Sequence, residues 1–269
     1  MYVKTGIVLA LLSVMIFAAT DALAAGPVDV KAELGVQSKY VWRGYLQTDG
    51  PVLQPSVAVG LKGLNLGLWG TMDLSDESTT DTIKAMETKE ARFSLGYDRS
   101  IAVLNMSAGV IHYTYPYKAY KTATTEIYAH AGGSVPGHPS ITVYKDVDET
   151  KGLYGEITAS QTIPVGLVLG IELSGGIGIG SKNFNDFYFN TDLKALPEKI
   201  SDKKELKDDF TLSDIRFGIG APIGIGNLVK IKPSVTYTGI INSAISDNLK
   251  TADIEGQNVF FGITASVSF

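Results

Sequence analysis

Charged side chains recur on one side of otherwise apolar-striped segments: acidic Asp29, Glu33, Glu90, Glu126, Glu156, Glu172 and Asp214, and basic Lys31, Lys39, Arg92, Arg216, Lys230 and Lys232. Lining a shared wet space, such groups would select ions or hold a polar solute. Mixed signs predict a weak ion preference, with part of the set pairing across strands to stiffen a wall. Asp146, Asp148 and Glu149 offer oxygens suited to calcium, but the stretch lacks a full ligand set and a turn glycine, so it reads as a solvated loop. Of the three histidines, His112 falls on an apolar stripe near a segment end, where an outer-wall lipid hydrolase would need one. No Ser-His-acid constellation can be assembled around it, and an interfacial histidine is the simpler reading. His130 and His138 lie by a short turn and read as structural. The run Gly175-Gly176-Ile177-Gly178-Ile179-Gly180 is not followed by a helical pattern, which a phosphate loop requires. It reads as a strand whose Gly176, Gly178 and Gly180, like Gly218 and Gly220, leave space on an inner face. With no cysteine, disulfides and thiolate chemistry are excluded, and no cofactor or metal is expected.

The elements that position these residues are strands. In the tail, Phe261, Ile263, Ala265, Val267 and Phe269 alternate with Gly262, Thr264, Ser266 and Ser268, a period of two with an apolar stripe reaching the last side chain. Such a tail resembles those of bacterial outer-membrane barrels, whose terminal Phe is read by the assembly machinery, so Phe261 and Phe269 are the expected assembly signal. From Val28 to Trp42 one face is apolar and the other carries Asp29, Lys31, Glu33 and Lys39. Eleven further strands are predicted near 52–61, 64–73, 88–98, 101–113, 124–132, 139–147, 152–162, 167–180, 210–221, 228–241 and 257–269. Most are longer than the five or six residues usual in soluble sheets and match a tilted membrane strand. Short connections rich in Gly, Pro or Asn alternate with longer polar ones, the longest from Ser181 to Asp209, as in an up-and-down barrel. Tyr40, Trp42 and Tyr237 at one rim, and Tyr97 and Phe269 at the other, would form interfacial girdles.

Residues 1–24 read as an export signal: Lys4, an apolar run from Gly6 to Ala19, then Ala22-Leu23-Ala24. Residues 25–269 then form one barrel. A net charge of -5 argues against nucleic acid, and 29 glycines among 45% hydrophobic residues suit strands and tight turns better than helices.

The stretch Ser38-Lys39-Tyr40-Val41-Trp42-Arg43-Gly44, with Gln47-Thr48-Asp49-Gly50-Pro51, Leu53-Gln54-Pro55-Ser56 and Leu66-Gly67-Leu68-Trp69-Gly70, resembles the opening of TorF-like porins of Gram-negative bacteria. Thr142-Val143-Tyr144-Lys145-Asp146-Val147-Asp148-Glu149 with Gly152-Leu153-Tyr154 resembles a hairpin of related exported barrel proteins. The resemblance covers residues 38–70 and 140–160 and implies an outer-membrane β-barrel and a channel.

The expected fold is therefore all-β, a transmembrane up-and-down antiparallel barrel of about twelve strands, with a lumen of roughly 10 Å. The expected function is passive diffusion of small hydrophilic solutes or ions; the alternatives are a lipid hydrolase using His112, or a non-conducting structural or adhesive barrel. Expected partners are outer-membrane lipids, the barrel assembly machinery and small hydrophilic solutes, with oligomeric state open. Whether the loop at 181–209 plugs the lumen is open as well.

Overall fold

The computed structural model describes residues 28–75, 85–116, 122–191 and 209–269. The export signal over 1–24 and residues 192–208 of the longest connection lie outside the described residues.

The chain runs β1 (Val28–Gln37), β2 (Tyr40–Trp42), β3 (Tyr45–Thr48), β4 (Val52–Leu61), β5 (Leu64–Asp73), β6 (Thr88–Ile101), β7 (Leu104–Thr114), β8 (Thr124–Gly133), β9 (Ser140–Asp146), β10 (Leu153–Val165), β11 (Leu169–Ser181), α1 (Lys182–Asp186) with a π-helical turn (Phe187–Thr191), β12 (Phe210–Gly220), β13 (Ile223–Ile225), β14 (Val229–Ile240), α2 (Ser243–Thr251) and β15 (Gln257–Ser268). Twelve of these strands form a closed antiparallel ring in the order β1, β4 to β12, β14, β15. The ring closes where β15 returns to β1, from Lys31 opposite Ser268 to Gln37 opposite Gly262. Closure leaves no unpaired edge. The three-residue β13 lies past Pro222 and bridges β11 and β14 at the short-turn end.

The distribution of polarity is the reverse of a soluble domain. Phe93, Leu66, Ile127, Phe217, Ile219, Val259 and Phe261 are exposed on the outside, whereas Asp73, Lys89, Glu90, Glu126 and Asp214 are buried. An outer wall of this kind calls for a hydrocarbon solvent, and the alternation of β-residues supplies it with one side chain in two. Tyr97 and Tyr237 lie on this outer face, Tyr237 stacked on Phe217.

The first strand corrects the expectation. It ends at Gln37, not Trp42, because Ser38 turns the chain: its N–H donates to the Phe261 carbonyl at 2.8 Å and its Oγ accepts from the Phe261 N–H at 3.1 Å. Past Ser38 the chain forms a separate hairpin, β2 against β3, closed by Arg43 and Gly44 at φ 49° and 78°. Two successive positive φ values are the signature of a two-residue type I′ turn. Tyr40 and Trp42 therefore do not sit in a lipid girdle; they point into the barrel.

The described segments 182–191 and 243–251 also fold inward. Ser181 caps α1 by accepting from the Phe184 N–H, and Asn242 caps α2 by accepting from the Ile245 N–H. Phe184, Tyr188, Phe189, Ile245 and Leu249 from these helical segments join Tyr154 and Ile240 of the wall in a cluster no more than 3% exposed. Trp42 and Tyr45 of the hairpin pack against it. The lumen of roughly 10 Å expected for an empty twelve-stranded ring is filled at the long-loop end.

Candidate functional site

The hairpin tip spans the lumen. On one side the Arg43 guanidinium makes a fork to Glu126 on β8, Nη1 to Oε1 at 2.6 Å and Nη2 to Oε2 at 2.8 Å. On the other, Gly44 is pressed onto β12 and β14: a Cβ there would lie 2.6 Å from Asp214 Cβ and 2.7 Å from Ile240 Cδ1. Only glycine satisfies both that contact and the positive φ.

Arg43 is also caged by aromatic rings. Its guanidinium carbon lies 4.4 Å from the ring centroids of Trp42, Tyr144 and Tyr154 and 5.4 Å from that of Phe184. Tyr113 donates its hydroxyl to Glu126 Oε2 at 2.7 Å, orienting the carboxylate. Burial opposes the charge on Arg43, but its surrounding partners, the Glu126 carboxylate first among them, together hold the guanidinium well above its ordinary range. Desolvation is thus offset by a charge-assisted fork and by cation–π contact.

The base of the hairpin is tied to the neighbouring wall. Tyr40 donates to Glu90 Oε2 at 3.3 Å, Arg92 donates to both Glu90 and the Tyr40 hydroxyl, and Arg92 lies 4.2 Å over Trp69. Burial pushes the Tyr40 hydroxyl well above its ordinary pKa, keeping it neutral. Lys89 donates to the Gln47 carbonyl at 2.8 Å and to Thr48 Oγ1 at 2.7 Å, and pairs with Asp73 at 3.4 Å. Lys89 lies where the β5–β6 register shifts between Thr71 and Met72. A bulge adds one residue and re-aims the next, so a side chain that strict alternation assigns to lipid is turned inward.

At the short-turn end the charges remain solvated. Lys31 pairs with Glu33 at 2.9 Å and Lys232 with Glu172 at 2.9 Å, while Lys230 has no ion-pair partner among the described residues; Arg216 pairs with Glu156 nearer the cage, where Glu156 also accepts from Tyr144. A cavity of about 280 Å³ opens between Lys31, Glu33, Ser56, Trp69, Arg92 and Ser94, of which Trp69 and Arg92 also touch Tyr40 at the hairpin base. Asp214 accepts from Tyr154 at 3.1 Å and from Ser213 at 2.9 Å. Glycines 176 and 178 leave the space that Arg216, Asp214 and Tyr154 fill. Lys39 is not on the wall at all. It lies past the end of β1 and bridges Asp49 at 2.8 Å and Glu255 at 3.1 Å, joining two loops at the mouth.

The remaining candidates have ordinary roles. Asp146 is neither solvated nor set for a metal: its Oδ1 accepts from the backbone of Asp148, Thr150 and Lys151, and its Oδ2 from Thr124, which organises a tight turn. Asp148 and Glu149 are exposed beside it, and no metal-ligating cluster occurs among the described residues. His112 faces outward and bonds Thr125 at 3.1 Å; His130 bonds Thr142 at 2.9 Å; His138 sits in the 134–139 turn at φ 36°. Phe261 is exposed on the outer wall, and the Phe269 backbone pairs with Val30.

Over residues 21–192 the sequence matches a family model described as a bacterial protein of unknown function (Gcw_chp). The chain belongs to this family. The matched span holds the hairpin and every residue of the Arg43 cage, together with the 38–70 stretch that resembles TorF-like porins and the 142–154 stretch that resembles a hairpin of related exported barrel proteins; the TorF-like label itself rests on the first resemblance alone. No curated protein matches the sequence. Among solved structures, the NanC porin is similar at 7% identity over 88% of this chain and 98% of that one, with a TM-score of 0.47. An outer-membrane channel from Pseudomonas putida F1 is similar at 9% identity over 90% and 94%, TM-score 0.45. The outer-membrane channel DcaP of Acinetobacter baumannii is similar at 7% identity over 90% and 96%, TM-score 0.38.

The residues missed by alternation alone are those of the cage and its anchors: Arg43, Lys89, Tyr113, Tyr144, Tyr154 and Phe184. One local signal was present. Tyr40-Val41-Trp42 and Tyr45-Leu46-Gln47-Thr48 flank Arg43-Gly44, two strand-forming runs around a two-residue turn ending in glycine.

Proposed function

We propose that this protein is a porin-like channel of the bacterial outer membrane, passing small hydrophilic solutes or ions by diffusion, and held shut where the hairpin at residues 40–48 packs against the inward segments of α1 and α2. The observation that carries the reading is the two-part lumen: solvated charges and a 280 Å³ cavity on one side of a single hairpin whose tip is held by a polar latch. A permanent plug has no need of a buried charge pair, since apolar groups of similar volume fill such space at equal or lower cost. A polar latch can exchange its partners for water when the hairpin moves.

The outer-membrane location is supported by the apolar outer wall, by the closed ring and by the export signal read over residues 1–24. Short turns then face the periplasm and long loops the exterior. Outer-membrane lipids cover the outward face, and Phe261 and Phe269 are the residues offered to the assembly machinery. A lipid hydrolase built on His112 draws no support, because the ring bonds Thr125 instead of a serine.

A non-conducting barrel is the second reading, favoured by the dry cluster at the loop end. Planar-bilayer recording separates the two. The native protein should show rare, brief openings. A variant with residues 40–48 replaced by a Gly-Ser linker should give sustained conductance steps. If that variant still migrates as a closed, heat-modifiable barrel and conducts nothing, the channel reading fails and the structural one stands.

A further inference from the structure

We infer that the wall around Glu126 is a binding site for organic cations of the guanidinium class, and that Arg43 occupies it as a built-in ligand. The inference rests on the channel reading and specifies its solute: the compounds that compete with the hairpin are those carrying the same head group.

The site can be separated from the hairpin that fills it. Glu126, Tyr113, Tyr144 and Tyr154 belong to strands β7 to β10, and Phe184 to α1; of the rings around Arg43 only Trp42 leaves with the hairpin. The remaining wall presents a carboxylate already oriented by the Tyr113 hydroxyl at 2.7 Å, facing Tyr144 and Tyr154 rings placed 4.4 Å from a guanidinium carbon. An anion flanked by aromatic faces is the arrangement that recognises organic cations. The two Glu126 oxygens accept from two different guanidinium nitrogens, at 2.6 and 2.8 Å, and such a fork fits a planar guanidinium better than an ammonium point charge. The occupant is also held at a cost. Arg43 sits at φ 49°, a region that disfavours side chains other than Gly, Asn and Asp, so a free cation competes without that penalty.

The test uses the Gly-Ser variant lacking residues 40–48, with ethylguanidinium as probe and ethylammonium as control. The expected result is saturable block of the conductance by ethylguanidinium, roughly tenfold weaker block by ethylammonium, and loss of the block in the same channel carrying Glu126→Gln. Equal block by both cations, no saturable block, or block that survives Glu126→Gln overturns the site while leaving the channel intact. A folded variant that conducts nothing overturns the channel reading instead. In that case Arg43→Ala in the full chain decides the site: ethylguanidinium should raise its thermal unfolding temperature where ethylammonium does not, and the absence of that difference overturns it.

Discussion

The two halves of the lumen use the same chemical pairs in different solvents. At the short-turn end the Lys232–Glu172 pair is 36% and 29% exposed; at the loop end the Arg43–Glu126 pair is 7% and 2% exposed. In the wet half each ion keeps about a third of its surface in water, and the bridge contributes little. In the dry half each ion has lost it and depends on its partner, on ring faces and on neutral hydroxyls. A buried pair of this sort adds modest net stability when intact but is expensive to break from one side. Such a pair fixes where the hairpin tip sits more than it holds the barrel together, which is what a closure that must reopen requires.

The contrast is sharpest in a matched pair of substitutions. Lys89→Met takes the ion-pair partner from Asp73, a residue 1% exposed that keeps the Thr48 hydroxyl as a donor, and removes the donor to Gln47 and Thr48. Removing one partner from a buried pair costs about 3–5 kcal/mol. Lys232→Met in the wet half should cost less than about 1 kcal/mol. Amide hydrogen exchange reads both: protection across residues 40–48 should collapse with Lys89→Met while the ring strands keep theirs, and Lys232→Met should leave the hairpin unchanged. Equal effects would mean that the halves do not differ in solvation.

Gly44→Ala probes the far side of the same hairpin. The added Cβ would meet Asp214 Cβ at 2.6 Å and Ile240 Cδ1 at 2.7 Å, and alanine at φ 78° is strained independently of that contact. The combined cost to the closed tip should be about 1–3 kcal/mol, seen as longer openings in bilayer recordings with an unaltered barrel on the gel. A silent Gly44→Ala channel would show that the tip is free to shift by the width of a methyl group.

The same difference in solvent decides which features are legible in the sequence. The ring strands were legible because lipid outside and water inside impose a strict period of two on each; the segments predicted at 52–61 and 64–73 are β4 and β5 to the residue. The alternation that identified β1 also concealed its end. Tyr40 and Trp42 continue the stripe past Gln37 because β2 is itself a strand, and period alone carries no information on whether the chain has turned away from its neighbours. Lys89 was hidden for another reason: the register shift at Thr71 and Met72 breaks the parity from which the lumen residues were assigned. Glu90, Glu126, Glu156 and Asp214 lie on the inner face, but Tyr40 on Glu90, Arg43 on Glu126, Arg216 on Glu156 and Tyr154 on Asp214 come from distant strands and loops, and such pairings have no signature in local spacing.

Lys39 gives the smallest effect and tests where the contrast stops. It links Asp49 and Glu255 at the mouth, and both carboxylates are largely exposed. Burial lowers its pKa, but hydrogen bonds and charge from Asp49 and Glu255 together raise it above the ordinary 10.5. A raised amine pKa contributes stability that is fully present below 10.5 and is lost only as pH rises through the higher folded value. Burial likewise pushes the Tyr188 hydroxyl up and keeps it neutral. Between about pH 6 and 9 neither Lys39, Tyr40, Tyr188 nor Arg43 changes charge, so opening frequency should be flat across that range. Lys39→Met should change it by less than about threefold, and the change should vanish in high salt because the pair is screened. An opening frequency that climbs with pH inside that range would mean that a titrating group controls the latch, and the hairpin would then be released by loss of charge, not by competition for a permanently ionised site.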